Sequence, residues 1–273
     1  MAGKSVAEPF KERARNAIID FLPKDICRWY SRSRTAFQLG WKDSGLLAEA
    51  TFSTPGKILK FKVPGVKNPV HVRSGSTDAE TMEACLIRRY YERLNTNGPV
   101  RFIIDAGANA GYSAVFFLER YPNAVVVALE PDSENSAIAQ KNLAPYGDRC
   151  HLLNLAIWPT QTRLSLSRSS RHDSTQVSEA GESGELCSSI DPMTILTMFG
   201  EDRIHIFKCD IEGAEERLFS DNADEWLCRT DGVAIEIHGR RAHEIVYDAT
   251  LRHDFAAEVD HNLHYFTRRK VIE

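Results

Sequence analysis

The spacing of apolar and polar residues changes near Val100. Beyond it, short greasy runs alternate with stretches whose apolar positions recur at helical spacing. The pattern predicts strands at 100–105, 124–130, 150–157, 203–210 and 231–238, and helices at 111–121, 133–143, 191–199, 212–220 and 242–250. The helix at 191 opens on "DPM", with Asp191 as N-cap and Pro192 in the first turn. "FAAEVD" and "LHYFTRR" flank 261–262 and predict a terminal antiparallel hairpin. Strand–helix alternation predicts an α/β domain whose mostly parallel sheet has helices on both faces.

Upstream the rhythm differs. "KILKFKVPG" and "NPVHVRSG" each alternate, with Pro64-Gly65 between them, which predicts a β-hairpin. Residues 78–94 predict one helix with Met82, Cys85, Leu86, Tyr90 and Leu94 on one side, ended by "NTNGP". Residues 8–22 form a short basic amphipathic pattern stopped by Pro23, an arm docked on the main domain or a membrane-surface helix. Residues 25–50 read as mixed short helix and loop. This divides the chain into an N-terminal helix-and-hairpin arm at 1–98, a cover for the substrate, and a catalytic domain at 99–273. The Ser/Thr/Gly-rich stretch at 159–189 reads as a loop and surface hairpin of the kind that faces substrates.

Composition narrows the class. Of 273 residues, 42% are hydrophobic and 26% charged, and the net charge is −4. That balance calls for no nucleic acid or anionic membrane as partner. The six cysteines form no C-x-x-C pair, which fits reduced thiols in the cytoplasm. No apolar stretch is long enough to span a bilayer, and the first residues mix acids and bases without an apolar signal core.

Ligands of such sheets sit beyond the carboxyl ends of the strands, so those residues carry the chemistry. The first strand ends in "DAGANAG", from Asp105 through Gly107, Ala108 and Asn109 to Gly111. Gly107 permits a positive φ, and Gly111 permits tight helix–strand contact. Glu130, followed by Pro131, ends the second strand, where an acid accepts ribose hydroxyls. The spacing lacks the third glycine of a dinucleotide site, and Asp105 would repel a pyrophosphate. Asp105 suits a ligand with a cationic group, and S-adenosylmethionine is one. Asn154 and Ala156 at the third strand's end are adenine contacts on this reading. Lys208, Asp210 and Glu212 alternate at the fourth strand's end, and Glu236 and His238 at the fifth. An ion pair of Lys208 with Asp210 or Glu212 is the structural alternative. "HDS" at 172–174 has no nucleophile elbow to serve, and the other histidines lack ligand spacing. Arg240-Arg241 is an anion site or a solvated turn.

The motifs "IIDAGANAGYSAVFF", "ALEPDSEN", "LNLAIW", "IFKCDIEGAEERLF" and "AIEIH" resemble the FkbM-type S-adenosylmethionine-dependent methyltransferases, over roughly residues 68–240. The resemblance implies a class I, Rossmann-like methyltransferase fold with a seven-stranded sheet. It implies O-methylation of a hydroxyl, often on a sugar or natural-product intermediate. Carried over, Asp105, Gly107 and Gly111 would form the methionine side of the site, Glu130 would bind the ribose, and Asp210 would sit near the reacting centre. Ala106 and Cys209 stand where the family often has valine or other aliphatic residues, and residues 1–65 and 168–189 match nothing usable. His238 is the expected base and Asp210 its rival, with Lys208 and Glu212 orienting them. No metal is assigned; Asp210, Glu212 and Glu236 would be the material of a Mg²⁺ site if their strands are neighbours. A homodimer stays open. An NAD-dependent oxidoreductase and a non-catalytic S-adenosylmethionine-binding module are the other readings.

Overall fold

The computed structural model describes residues 47, 50, 54–96, 98–168, 175–179, 185–260 and 262–269. The helix expected at 8–22 and nearly all of the segment 25–50 lie outside them; Leu47 and Ala50 are helical and buried.

The arm begins with the expected hairpin, β1 (Ile58–Phe61) antiparallel to β2 (Val70–Arg73). The long helix expected next is broken. It runs as α1 (Asp78–Met82), a π-helical turn (Glu83–Ile87) and a 3₁₀ turn (Tyr90–Arg93). Arg89 between the last two has φ 56, in the left-handed region. Its guanidinium bonds Glu92 at 2.7 Å and lies 5.1 Å from the Phe116 ring centre. The break shifts the phase by one residue, so Tyr91 rather than Tyr90 is buried beside Met82, Cys85, Leu86 and Leu94.

Across the main sheet the strands that begin at residues 255, 263, 232, 206, 102, 125 and 150 lie side by side in that order. Its first half runs β3 (Phe102–Ala106), α2 (Tyr112–Arg120), β4 (Val125–Leu129), α3 (Ser133–Leu143) and β5 (Cys150–Leu153). The strand expected to reach residue 157 stops early. Asn154 donates its side-chain amide to the Glu130 and Pro131 carbonyls at 2.7 and 3.1 Å, tying the ends of β4 and β5 together. The chain then leaves for β6 (Ala156–Ile157) in a second sheet. There β7 (Arg163–Arg168), β8 (Thr175–Glu179) and β9 (Glu185–Ile190) make the order β6-β9-β7-β8, which is the expected insertion.

The second half starts with α4 (Pro192–Phe199), where the Asp191 side chain caps the Thr194 amide at 2.9 Å. Then come β10 (Ile206–Cys209), α5 (Glu215–Ser220), α6 (Ala223–Leu227), β11 (Gly232–Glu236), α7 (Arg240–Arg252), β12 (Phe255–Asp260) and β13 (Leu263–Arg268). Strands β11, β10, β3, β4 and β5 are parallel, and β13 runs antiparallel to both neighbours. The helix expected from 212 starts at Glu215, because Glu212 (φ 54) and Gly213 (φ 105) are both left-handed.

Alternation along the strands splits the core between the two faces. Phe102, Ile104 and Ala106 pack with Phe207, Cys209, Phe219 and Trp226. Ile103 and Ile206 pack on the other face with Phe116, Phe117 and the arm's Phe61, Val72 and Met82. Burial of this shared apolar surface holds the arm against that face of the sheet.

Candidate functional site

At the β3–α2 turn, Gly107 has φ 75, and a Cβ there would lie 1.8 Å from the Asp210 carbonyl oxygen. The glycine is therefore demanded by the neighbouring strand end. Gly111 (φ 85) caps α2, and its Cβ would come within 3.3 Å of Ala139 and Leu143 of α3. It permits a helix–helix approach rather than the helix–strand contact expected. Between them the Gly107 and Ala108 amides donate to the Leu129 carbonyl at 3.0 and 2.9 Å.

Glu130 closes the same turn from β4. Its carboxylate accepts the Asn109 amide at 2.8 Å, the Asp132 amide at 3.0 Å and the Asn135 side-chain amide at 3.4 Å. The side chain is buried, and burial pushes it up to about 7 against the pull of those donors. It still borders the cavity, as a strong acceptor with spare lone pairs. That is the chemistry a ribose diol needs.

Asp105 occupies another position than expected. It is fully buried beneath the turn and does not line the cavity. It accepts from Ser113 Oγ at 2.6 Å and pairs with Lys208 Nζ at 3.2 Å across the parallel β3–β10 register. The cation that Asp105 meets is thus one of the protein's own. Lys208, expected to orient Asp210 and His238, instead donates to the Ala106 and Gly107 carbonyls at 3.3 and 2.6 Å. Burial pulls its ammonium down, but Asp105 and then Asp210 outweigh that, and the net shift is upward.

At the far end, Asp210 and Glu212 both line the cavity. Burial and then Asp210 push Glu212 up to about 7. His238 stands beside them without lining the cavity. Its Nδ1 lies 3.0 Å from Glu215 Oε1, and its Nε2 lies 3.6 Å from Glu212 and 3.7 Å from Glu236. The hydrogen bond to Glu215, then charge from Glu215, Glu212 and Asp210, overcomes burial and raises His238 to about 9. Glu236 is held by Asn262 at 2.6 Å, and burial raises it. Register between β10 and β11 brings these strand ends together, as the neighbouring-strand reading required.

One cavity joins both ends. Gly107, Ala108, Asn109, Glu130, Pro131, Ala156, Lys208, Asp210 and Glu212 line it, whereas Asn154 and Gly111 do not. Sequence reasoning missed Thr81, Cys85 and Tyr91 from the arm and Val177 from the inserted hairpin, all of which line it. It also missed Glu215, which is fully buried and accepts the Gly213 amide at 3.2 Å besides His238. Its signal was the acid three residues after Glu212 in "IEGAE", on the first turn of a helix packed beside α7.

A family model described as "Methyltransferase FkbM domain" matches residues 105–267. Among solved structures the chain is similar to methyltransferase FkbM from Methylobacillus flagellatus KT, with 18% identity, a TM-score of 0.46, and coverage of 65% of this chain and 46% of that one. The chain thus spans less than half of that structure. It is similar to precorrin-6y C5,15-methyltransferase from Geobacter metallireducens GS-15 at 12% identity and TM-score 0.40, over 70% of this chain and 88% of that one. It is similar as well to TrmK from M. capricolum, solved with S-adenosyl-homocysteine, at 10% identity and TM-score 0.40, over 67% and 68% of the two chains. No curated protein matches the chain.

Proposed function

The chain belongs to the FkbM methyltransferase family and its cofactor is S-adenosylmethionine; on that premise we propose that it methylates a hydroxyl oxygen of a small acceptor, a sugar or a natural-product intermediate. The observation that carries this is the continuity of one cavity from Glu130 and the glycine turn to Asp210 and Glu212. The bound cofactor supplies a methyl group on a sulfonium, already a good leaving group. The protein has to hold, orient and dry the partners. Glu130 would hold the ribose, the 107–109 turn would support the cofactor, and Ala156 and Pro131 would stand on the side of its base, all of them lining the cavity. Lys208 braces the turn from below rather than touching the acceptor. Cys85, Tyr91 and Val177 bring apolar surface from the arm and the hairpin and exclude water.

The acceptor hydroxyl is received at Asp210 and Glu212. Oriented carboxylates there accept its hydrogen bond and take up the proton as the oxygen attacks, an effect typically worth about 10²–10⁴-fold. His238, the base expected from the strand pattern, keeps its own proton at neutral pH while only protein groups surround it. It steadies Glu212 from behind. The test is a panel of hydroxylated small molecules incubated with the cofactor and read by mass spectrometry. The expected product gains one methyl group on oxygen and disappears with Asp210→Asn. Methylation on carbon or nitrogen alone would remove the hydroxyl acceptor from the proposal.

A further inference from the structure

Four ionisable side chains meet at the ends of β10 and β11. Ligand atoms of Asp210, Glu212 and His238 all lie within 4.8 Å of one another, and Glu236 lies 3.7 Å from His238 Nε2. Lys208, which lines the same cavity, is spent on Asp105 and two carbonyls. His238 is thus surrounded by more negative charge than it can balance.

Its orientation is specific. Nδ1 is tied to Glu215, which is fully buried and directed at the ring, and whose Oε2 has no hydrogen-bond partner among the described residues. Nε2 is left facing Glu212 and Glu236 at 3.6 and 3.7 Å, too far for a hydrogen bond to either. An ion with bonds of about 2.1 Å holds adjacent ligands about 3.0 Å apart and opposite ones about 4.2 Å apart; the 3.6 Å between His238 and Glu212 falls in that range, and the 4.8 Å that encloses all three ligands requires a small inward movement of the side chains. A buried carboxylate that fixes one ring nitrogen while the other faces the ligands is how proteins orient metal-binding histidines.

We propose that Asp210, Glu212 and His238 bind one divalent cation of the Mn²⁺ or Mg²⁺ class at the acceptor end of the cavity. Two carboxylates with a single imidazole favour a hard cation over the softer metals that prefer nitrogen and sulfur. Asp210 and Glu212 also line the cavity, so the ion's open positions face the space assigned to the acceptor. Its use there, holding the hydroxyl oxygen as a Lewis acid, rests on the reading of the preceding section. The binding itself does not.

The test uses the full chain, dialysed against EDTA and titrated with Mn²⁺ while the free-ion EPR signal is followed. Saturation at one Mn²⁺ per chain is expected, with displacement by excess Mg²⁺. His238→Ala and Glu212→Gln should each weaken Mn²⁺ binding at least about tenfold. Calorimetry of S-adenosylmethionine binding to the same samples reports whether each variant is folded. No saturable Mn²⁺ in the wild type overturns the proposal, and so does unchanged Mn²⁺ affinity in a variant that still binds the cofactor. Loss of cofactor binding by the wild type, with Mn²⁺ binding intact, would sink the methyltransferase reading instead.

Discussion

Two fully buried carboxylates stand behind the walls of this cavity, and each is matched to a cation from β10 or from just beyond β11. Asp105 takes Ser113 and Lys208, and Lys208 spends its other protons on the Ala106 and Gly107 carbonyls. Lys208 meets Asp105 Oδ1 as an ion pair, an oxygen that accepts no hydrogen bond among the described residues, and the two carbonyls close the pair on its other side. Glu215 takes two backbone amides and His238 Nδ1, and leaves Nε2 turned outward to Glu212 and Glu236. Burial and opposite charge are common to both pairs. What separates a brace from a working group is whether the cation has bonding capacity left over.

Breaking the closed pair should have the largest effect. Lys208→Met leaves Asp105 as an uncompensated buried charge, and the expected loss is about 3–5 kcal/mol in urea unfolding. Adding Asp105→Asn removes the charge and should recover much of that loss. A Lys208→Met protein as stable as the wild type would show that the pair does not brace the turn. Cofactor affinity falls with stability in the single variant, because Lys208 Nζ holds the Gly107 carbonyl.

The open pair should respond differently. Glu215→Gln keeps the size and most hydrogen bonds, so the expected stability loss is only about 1–2 kcal/mol at neutral pH. The change appears in the ring. His238 should fall from about 9 toward its ordinary 6.5, followed by NMR in EDTA-treated protein. The sign follows from a folded value above the unfolded one. The pair's stabilisation is complete below about 6.5 and is lost as pH rises through about 9. The gap between wild type and variant should therefore close across that window. A ring that titrates identically in both proteins would detach Glu215 from His238. Turnover should drop about 10–100-fold, the usual cost of removing a group that orients a site from behind.

The contrast also marks how far the residues could be read in order. The β/α rhythm disclosed the five parallel strands, and the switch to hairpin at 255–269 disclosed the antiparallel edge. Such periodicities come from burial on two faces, a property local to each element. Several expectations gave way where one residue's backbone or partner decided the local arrangement, and two show how. Arg89 turns left-handed, splits the helix at 78–94 and buries Tyr91 in place of Tyr90. Asp105 looked like the counter-ion of a sulfonium, but register puts Lys208 opposite it. Glu215 escaped notice because an acid in a helix's first turn is ordinarily solvated. Its burial depends on α5 packing against α7, which no local pattern states.

Glu130 is a third case that sharpens the other two, because among the described residues it is buried with N–H donors and no paired cation. Without one, burial pushes it up to about 7. In the folded, cofactor-free protein the protonated form then predominates below about pH 7. Its contribution to stability is complete below about 4.5 and fades as pH rises through about 7. A ribose donating two hydroxyls prefers the ionised form. Cofactor affinity measured by calorimetry should therefore rise about tenfold from pH 6 to pH 8, the change in ionised fraction for a group at 7. Glu130→Gln cannot ionise, so it should bind more weakly and lose this slope. A variant that keeps the wild-type slope would move the ribose contact, and the pH response, to another group on the cavity wall.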